Sequence, residues 1–380
     1  MTGFSGRIAA RVAEIAAWDT CLPGEVESHD YYRACDDAAA TSGIGLRCAA
    51  VVVEDASGIA AVAPFFRLDY RLDTPLQGRL RQIADALFSR FPGLVTLKVI
   101  CVGSPYAERC HLGFAPRLGA AARQEATRAM LAALEQQAAR EGAHLLAFKD
   151  LAPAEDALLA PLLDGEGFAL LGSLPVAVLD LPYPDEDGYL ASLSAATRKD
   201  IRRKLAKAKA VRIEHRSDMT GLEDAIGNLY ESTRGQSVLD YGELEVLPPG
   251  YFAAVSKALG DRALFVLYWI GEELAAFNLL LIEPDRVIDK FLGMSYPLAR
   301  DHNLYAVSWM ANVRFCLERG IRELQTGQTA YASKLRFGSR LVPSTIRFRH
   351  RNLPLQWLLG HLSPRLSFGR FDPNLATVTP

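Results

Sequence analysis

Residues 263–294 read ALFVLYWI-GEE-LAAFNLLLI-EPD-RVIDKFLGM. Three apolar runs of eight or nine residues are separated by two short breaks of turn-forming and acidic residues. Such runs predict strands, and three-residue breaks predict antiparallel neighbours. The reading is a hairpin, Ala263–Ile270 and Leu274–Ile282 around Gly271-Glu272-Glu273, followed by a third strand over Arg286–Met294. Downstream, helical periodicity runs from about 303 to 319 and stops at Gly320, a residue suited to a left-handed cap. Ile321–Gln325 predicts the next strand. Upstream, Ser194-Ala-Ala-Thr197 opens a basic helix reaching Lys209, with Ile201, Leu205 and Ala208 as its apolar stripe. Val211–Arg216 alternates as a strand, and 220–234 and 250–259 read as helices.

The first half repeats this order loosely. Arg47–Val53 and Ile59–Phe66 flank the turn Asp55-Ala-Ser-Gly58, an inserted helix is expected near 79–90, and Leu94–Val102 is the third strand. A helix over about 120–140 stops at Gly142, and Ala143–Lys149 is the strand after it. Ala139-Arg-Glu-Gly142 and Leu317-Glu-Arg-Gly320 align at an offset of 178 residues. A repeat of that size is a duplicated domain rather than a solenoid. The polar tract Pro182–Gly188 reads as a linker, which gives expected domains 1–187 and 188–380.

With 380 residues, half of them apolar and 23% charged, the chain has a globular composition. No apolar run approaches the roughly 18 residues of a spanning helix. The N-terminus, with Arg7, Arg11 and Glu14, lacks the continuous apolar block of a secretory signal, so a cytoplasmic protein is expected. The six cysteines form no CxxC, the seven histidines no HExxH. Cys48, Cys101 and Cys316 lie in apolar stretches, so buried thiols are expected, with no metal site. The net charge of −2 conceals −9 over residues 1–197 and +7 over 198–380. Residues 198–212 hold eight Lys/Arg and one Asp, and 334–371 hold eight Lys/Arg and no acid. Such stretches suit a nucleic-acid or nucleotide phosphate, or an anionic membrane surface.

Strand hairpin, third strand, helix and splayed next strand is the order of the GNAT acyltransferase fold. Within the second half, Thr197-Arg-Lys-Asp-Ile-Arg-Arg-Lys-Leu205 and Gly327-Gln-Thr-Ala-Tyr331-Ala-Ser-Lys334-Leu-Arg-Phe337-Gly338 resemble the GNAT-like family related to the Fem aminoacyltransferases of cell-wall synthesis. The resemblance covers about 190–345 by motif and 1–180 by element order. It implies an α+β (mixed α/β) fold with two tandem GNAT-like domains, and an enzyme moving an acyl or aminoacyl group onto an amine of a small-molecule or cell-envelope precursor. The implied co-substrate is acyl-CoA or aminoacyl-tRNA. An ordinary acyl-CoA N-acetyltransferase is the alternative within enzymes. A non-catalytic module of the same fold binding polysaccharide or nucleic acid is the alternative outside them.

Acyl transfer to an amine needs a proton acceptor, a stabilised oxyanion and a protonated leaving group. Asp289 is a carboxylate inside an apolar strand, costly to bury without a partner. Alternation puts it with Phe291 on one face and Lys290 with Ile288 on the other, and it is the candidate base. Tyr331 and Lys334 are candidates for protonating the leaving group and stabilising the oxyanion or a phosphate. Arg300, His302, Asn303, Tyr305 and Gln328 are the expected donor contacts, and Asn278 a substrate-orienting amide. The resemblance implies a glycine-bearing Arg/Gln-x-x-Gly-x-Gly/Ala loop for CoA. This chain has Arg300-x-x-Asn303-x-Tyr305, and Arg117-Leu-Gly119-Ala-Ala in the first half is no better match.

Overall fold

The computed structural model describes residues 3–42, 48–71, 96–236, 246–366 and 375. The helix expected near 79–90 lies outside them. Two compact units emerge. One holds the chain up to Leu174 and again from Pro343; the other holds Pro175–Val238 and Gly250–Val342.

The first unit runs β1 (Ser5–Ala9), the single-turn α1 (Trp18–Cys21), α2 (His29–Ser42), β2 (Cys48–Asp55), β3 (Gly58–Arg71), β4 (Thr96–Val102), β5 (Gly113–Phe114), α3 (Ala120–Glu141), β6 (Leu145–Leu151), α4 (Pro153–Gly165) and β7 (Ala169–Gly172). The second runs β8 (Val176–Asp180), α5 (Glu186–Ser192), α6 (Ala195–Lys207), β9 (Val211–Arg216), α7 (Glu223–Arg234), α8 (Tyr251–Leu259), β10 (Ala263–Ile270), β11 (Glu273–Ile282), β12 (Arg286–Met294), α9 (Leu298–Asp301), α10 (Leu304–Glu318), β13 (Glu323–Gly327), α11 (Tyr331–Arg336) and β14 (Arg340–Val342). The chain then returns to the first unit as β15 (Thr345–His350) and α12 (Leu353–Leu366).

The two sheets share one plan. Among the described residues the first has the order β1-β2-β3-β4-β6-β15-β7, the second β9-β10-β11-β12-β13-β8-β14. In each, an antiparallel meander ends on a strand that pairs parallel with the strand after the long helix: β4 with β6, and β12 with β13. Gly142 and Gly320 end α3 and α10 at φ +64° and +67°, as their shared place in the repeat implies. The last inner strand of each sheet is supplied reciprocally. β8 follows β7 in the chain yet inserts between β13 and β14, and β15 follows β14 yet inserts between β6 and β7. The expected boundary at 187/188 is therefore displaced to Leu174/Pro175, and the expected linker lies inside the second unit, where Asp185 caps α5 by accepting from the Gly188 amide.

In the second unit α10 covers one face of the sheet, burying Val307, Met310, Val313 and Phe315 with Val266, Tyr268, Leu280 and Val287. On the other face Phe291 meets Tyr230, Tyr251 and Phe252 edge-on at 5.4–5.7 Å. Gly293 is required there: a Cβ would lie 2.3 Å from the Phe277 ring and 2.9 Å from the Leu229 backbone. In the first unit Arg347 of β15 is buried and ion-paired to Asp156 and Asp164 on α4.

Residues 1–187 expressed alone lack β15, leaving β6 and β7 without their shared partner and the α4 carboxylates without Arg347. This fragment is expected to show no cooperative urea transition, whereas the intact chain shows one; a cooperative transition of the fragment by circular dichroism would contradict the strand exchange.

Candidate functional site

The site begins with a short ladder. β12 and β13 pair over only three positions, Arg286–Glu323, Val287–Leu324 and Ile288–Gln325. Beyond them, among the described residues, β13 pairs with β8 alone and β12 with β11 alone, so the two strands part. Asp289 is the first residue past the last pair.

A bulge sets where Asp289 points. Leu280 pairs with Asp289 and Leu279 with Phe291, which leaves Lys290 as an extra residue. A bulge reverses the alternation beyond it. Asp289 therefore stays with Val287 on the α10 face, while Phe291 turns to the aromatic cluster on the opposite face. This corrects the expectation that Asp289 and Phe291 share a face.

Two amides hold the carboxylate. Asn278 Nδ2 of β11 donates to Asp289 Oδ1 at 2.8 Å, and Asn312 Nδ2 of α10 donates to Oδ2 at 3.0 Å. Both asparagines are buried, at 0% and 1% exposure, while Asp289 is half-buried. The carboxylate fixes both amide orientations, since a flipped amide would set oxygen against oxygen. The outer oxygens of Asn278 and Asn312 and the hydroxyls of Tyr268 and Tyr305 are buried without a hydrogen-bond partner among the described residues. Burial first, and the Asp289 charge second, raise both phenols above their ordinary range, so both stay protonated. The same two causes push the Cys316 thiol up to about 12.

The segment after β12 leads to α10, and the expected donor contacts Arg300, His302, Asn303 and Tyr305 lie there together. Arg300 is exposed, its guanidinium 5.6 Å from the Tyr296 ring centroid. Asn303 precedes α10 in a left-handed conformation, φ +53°. Tyr305 stacks on Phe337 with centroids 6.2 Å apart.

Residues 195–335 match the model of the acetyltransferase (GNAT) domain family. That segment is a GNAT-family domain. Among solved structures it is similar to FemX (TM-score 0.55, 13% identity, 86% of this chain and 93% of that one). It is also similar to the C-terminal domain of a putative lysylphosphatidylglycerol synthetase from Agrobacterium fabrum (TM-score 0.53, 12% identity, 92% and 94%). A tandem GNAT protein from the clavulanic acid biosynthesis pathway matches at TM-score 0.50, 12% identity, 92% and 99%. At these identities the likeness is one of fold, and the fold is that of two tandem GNAT domains. In sequence, 228 residues are 23% identical to putative 8-amino-7-oxononanoate synthase 2 of two Mycobacterium tuberculosis strains, covering 58% of this chain. The chain spans 29% of the length of those curated relatives.

The two GNAT openings differ. In the first unit the β4–β6 ladder runs from Val99–Leu145 to Val102–Phe148. Just past it, Lys149 of β6 donates across the gap to the carbonyls of Ser104 and Ala107, at 3.1 and 3.3 Å, and pairs with Asp150. The Cys110 amide donates to the Asp150 carbonyl at 2.8 Å. Burial works to lower the Lys149 pKa, but Asp150 outweighs it and the group is held above its ordinary value as an ammonium. Residues 104–110 thus fill the first opening with the chain's own backbone. In the second unit Lys334, in the helix after β13, donates to the carbonyls of Thr326, Gly327 and Gln328, at and just past the end of β13.

Those bonds reassign Lys334 and Tyr331. An ammonium has three donors, and the three carbonyls take them. Tyr331 is 2% exposed and its hydroxyl donates to the Pro175 carbonyl at 2.8 Å. The loop they brace carries two consecutive non-glycine residues with positive φ, Thr329 at +67° and Ala330 at +51°. Such geometry costs energy and persists where surroundings enforce it. The proton-bearing atoms of both residues, expected to serve catalysis, are hydrogen-bonded to backbone carbonyls and brace this loop. Asn278, expected to orient substrate, is wholly buried and bonded to the carboxylate. Gln328 is half-buried in the braced loop. The sequence reading missed Asn312, although an asparagine in the apolar run Leu304–Cys316, seven residues from Tyr305, was a visible signal.

All six cysteines are buried free thiols. The two basic stretches diverge. In the second, Arg336, Arg340, Arg347 and Arg349 pair with Asp200, Asp180 and Glu323, Asp156 and Asp164, and Glu135 and Glu166. On α6, Lys199, Arg202, Arg203 and Lys207 are exposed. Hydrogen bonds from Lys204 and Arg203 hold the Asp200 carboxyl down to about 2, the mark of an electropositive face.

Tyr331→Phe is expected to lower unfolding free energy by about 1 kcal/mol, and Lys334→Met, which strips three carbonyls of their donor, by about 2–4 kcal/mol. Urea denaturation measures both; unchanged midpoints would return the two side chains to solvent.

Proposed function

We propose that the protein is an N-acyltransferase. A donor inserts its acyl-bearing arm between β12 and β13 of the second GNAT domain, and Asp289 receives the proton of an attacking amine. The observation that carries this reading is the position of Asp289: first past the last β12–β13 pair, half-buried, with each oxygen already bound to one amide. Such anchoring fixes the carboxylate at the strand opening before substrate arrives.

In this reading the amine loses its proton to Asp289 and attacks the carbonyl of a thioester or ester. The tetrahedral intermediate collapses, and the leaving thiolate or alkoxide takes a proton. Tyr305, kept protonated by burial and the Asp289 charge and without a partner among the described residues, is the hydroxyl we assign to that last step. The N-terminal turn of α10, with Arg300 and His302 before it, suits the donor's phosphates.

Two features support an aminoacyl-tRNA over acetyl-CoA as donor. The glycines of a CoA loop are absent from 300–306, and the α6 face presents clustered cations suited to a polyanion. The likeness to FemX agrees with this preference, and a cell-envelope or small-molecule amine is the acceptor class it suggests.

The intact chain is to be assayed with acetyl-CoA, a long-chain acyl-CoA and aminoacyl-tRNA against a panel of amines. Once turnover is found, Asp289→Asn and Tyr305→Phe are each expected to lower kcat by ~10²–10⁴, the usual range for acid–base groups. Tyr331→Phe is expected to leave kcat within about threefold, since its hydroxyl lies outside the assigned chemistry. Wild-type turnover by folded Asp289→Asn would reject the assignment.

A further inference from the structure

The last helix of the first unit carries an apolar stripe that its own sheet does not use. Leu353, Trp357 and Leu358 of α12 are 77%, 64% and 45% exposed. They make up half of the six large apolar side chains strongly exposed among the described residues, so the exposure is concentrated rather than scattered. Leu353, Trp357 and His361 repeat every four residues and share one line of the helix. The Trp357 and His361 rings, 4.2 Å apart, rest on each other at the surface. The opposite side of the helix is occupied, with Leu359 packing on the cluster of Phe66, Leu68 and Phe348.

Charge selects the occupant. From Leu324 to Phe371 the sequence holds no acidic residue. Arg351, exposed, precedes the helix, and the sequence beyond it adds arginines at 365 and 370. A parallel pair of copies meeting through the stripe would set Arg351 against Arg351, and an antiparallel pair would lay one acid-free basic segment along another. Both arrangements set cation against cation. An anionic lipid surface meets the same pattern favourably, with apolar side chains at the acyl boundary, an indole at headgroup level and arginines at the phosphates. No helix among the described residues is long and apolar enough to cross a membrane, so the contact is peripheral. We propose that α12 docks on anionic bilayers through Leu353, Trp357 and Leu358. This stands apart from the transferase reading, since its readout is partition rather than turnover.

The intact chain is to be mixed with vesicles of phosphatidylcholine, alone or with phosphatidylglycerol, at low and physiological salt. Trp18 and Trp309 are buried, and Trp269 is half-buried with Arg212 5.1 Å from its ring centroid, so Trp357 is the indole placed to respond. Co-sedimentation with the phosphatidylglycerol vesicles and a blue shift of tryptophan emission are expected, both weaker as salt rises. Leu353→Glu/Leu358→Glu retains Trp357 and is expected to lose about tenfold or more in partition, with its melting temperature unchanged. Three results would overturn the proposal: no sedimentation with phosphatidylglycerol vesicles at low salt, equal binding by the double variant, or a dimer in light scattering that the double variant abolishes. The last would assign the stripe to a second copy of the chain.

Discussion

Three parallel residue pairs hold β12 to β13, and the separation beyond them creates the site. The ladder cannot continue because β13 is drawn to β8, while the bulge at Lys290 keeps β12 on β11 with its side chains re-aimed. Asp289 sits where the two constraints meet. It is retained on the helix-covered face, close to the opening, where an isolated carboxylate would be expensive. Asn278 and Asn312 offset that cost, each hydrogen bond to the charge being worth about 1.5–3 kcal/mol. They come from β11 and α10, so strand pairing and helix packing must both be in place before the carboxylate is positioned. The braced loop after β13 fixes the other side of the opening. Its strain at Thr329 and Ala330 is sustained by Lys334, which acts on backbone rather than on substrate.

The two units apply one plan to different ends. Each has a meander, a long helix closed by a left-handed glycine, and a lysine donating to carbonyls beside the strand opening. In the first unit that lysine reaches across the gap and segment 104–110 occupies it. In the second it remains on the β13 side. The return of β15 makes the first sheet depend on chain that follows the second unit, so residues 1–174 alone do not carry a complete first sheet.

Much of this was legible in the sequence. Arg286–Met294 was bounded to the residue, Gly142 and Gly320 marked equivalent helix ends, and the tandem GNAT plan followed from element order. Asp289 stood out because a carboxylate in an apolar strand demands a reason. The errors have physical causes. Alternation assumes an unbroken ladder, and a bulge depends on the partner strand's register, which the strand's own residues do not encode. The same limit hid the exchange of β8 and β15, since a short apolar strand fits any inner position of either sheet. The backbone bonds of Tyr331 and Lys334 were not legible, because a hydroxyl or ammonium in a glycine-bounded loop looks alike whether it meets substrate or backbone. Asn312 escaped because its partner lies 23 residues away on another element.

The central claim is that the second opening, not the first, receives the donor. Hydrogen–deuterium exchange of the intact chain, with and without acetyl-CoA, a long-chain acyl-CoA or aminoacyl-tRNA, addresses it directly. With whichever donor binds, exchange is predicted to slow in residues 289–294 and at the start of α10, with 98–110 and 145–150 unchanged. Protection confined to 98–110 and 145–150 would place the donor in the first unit and contradict the account.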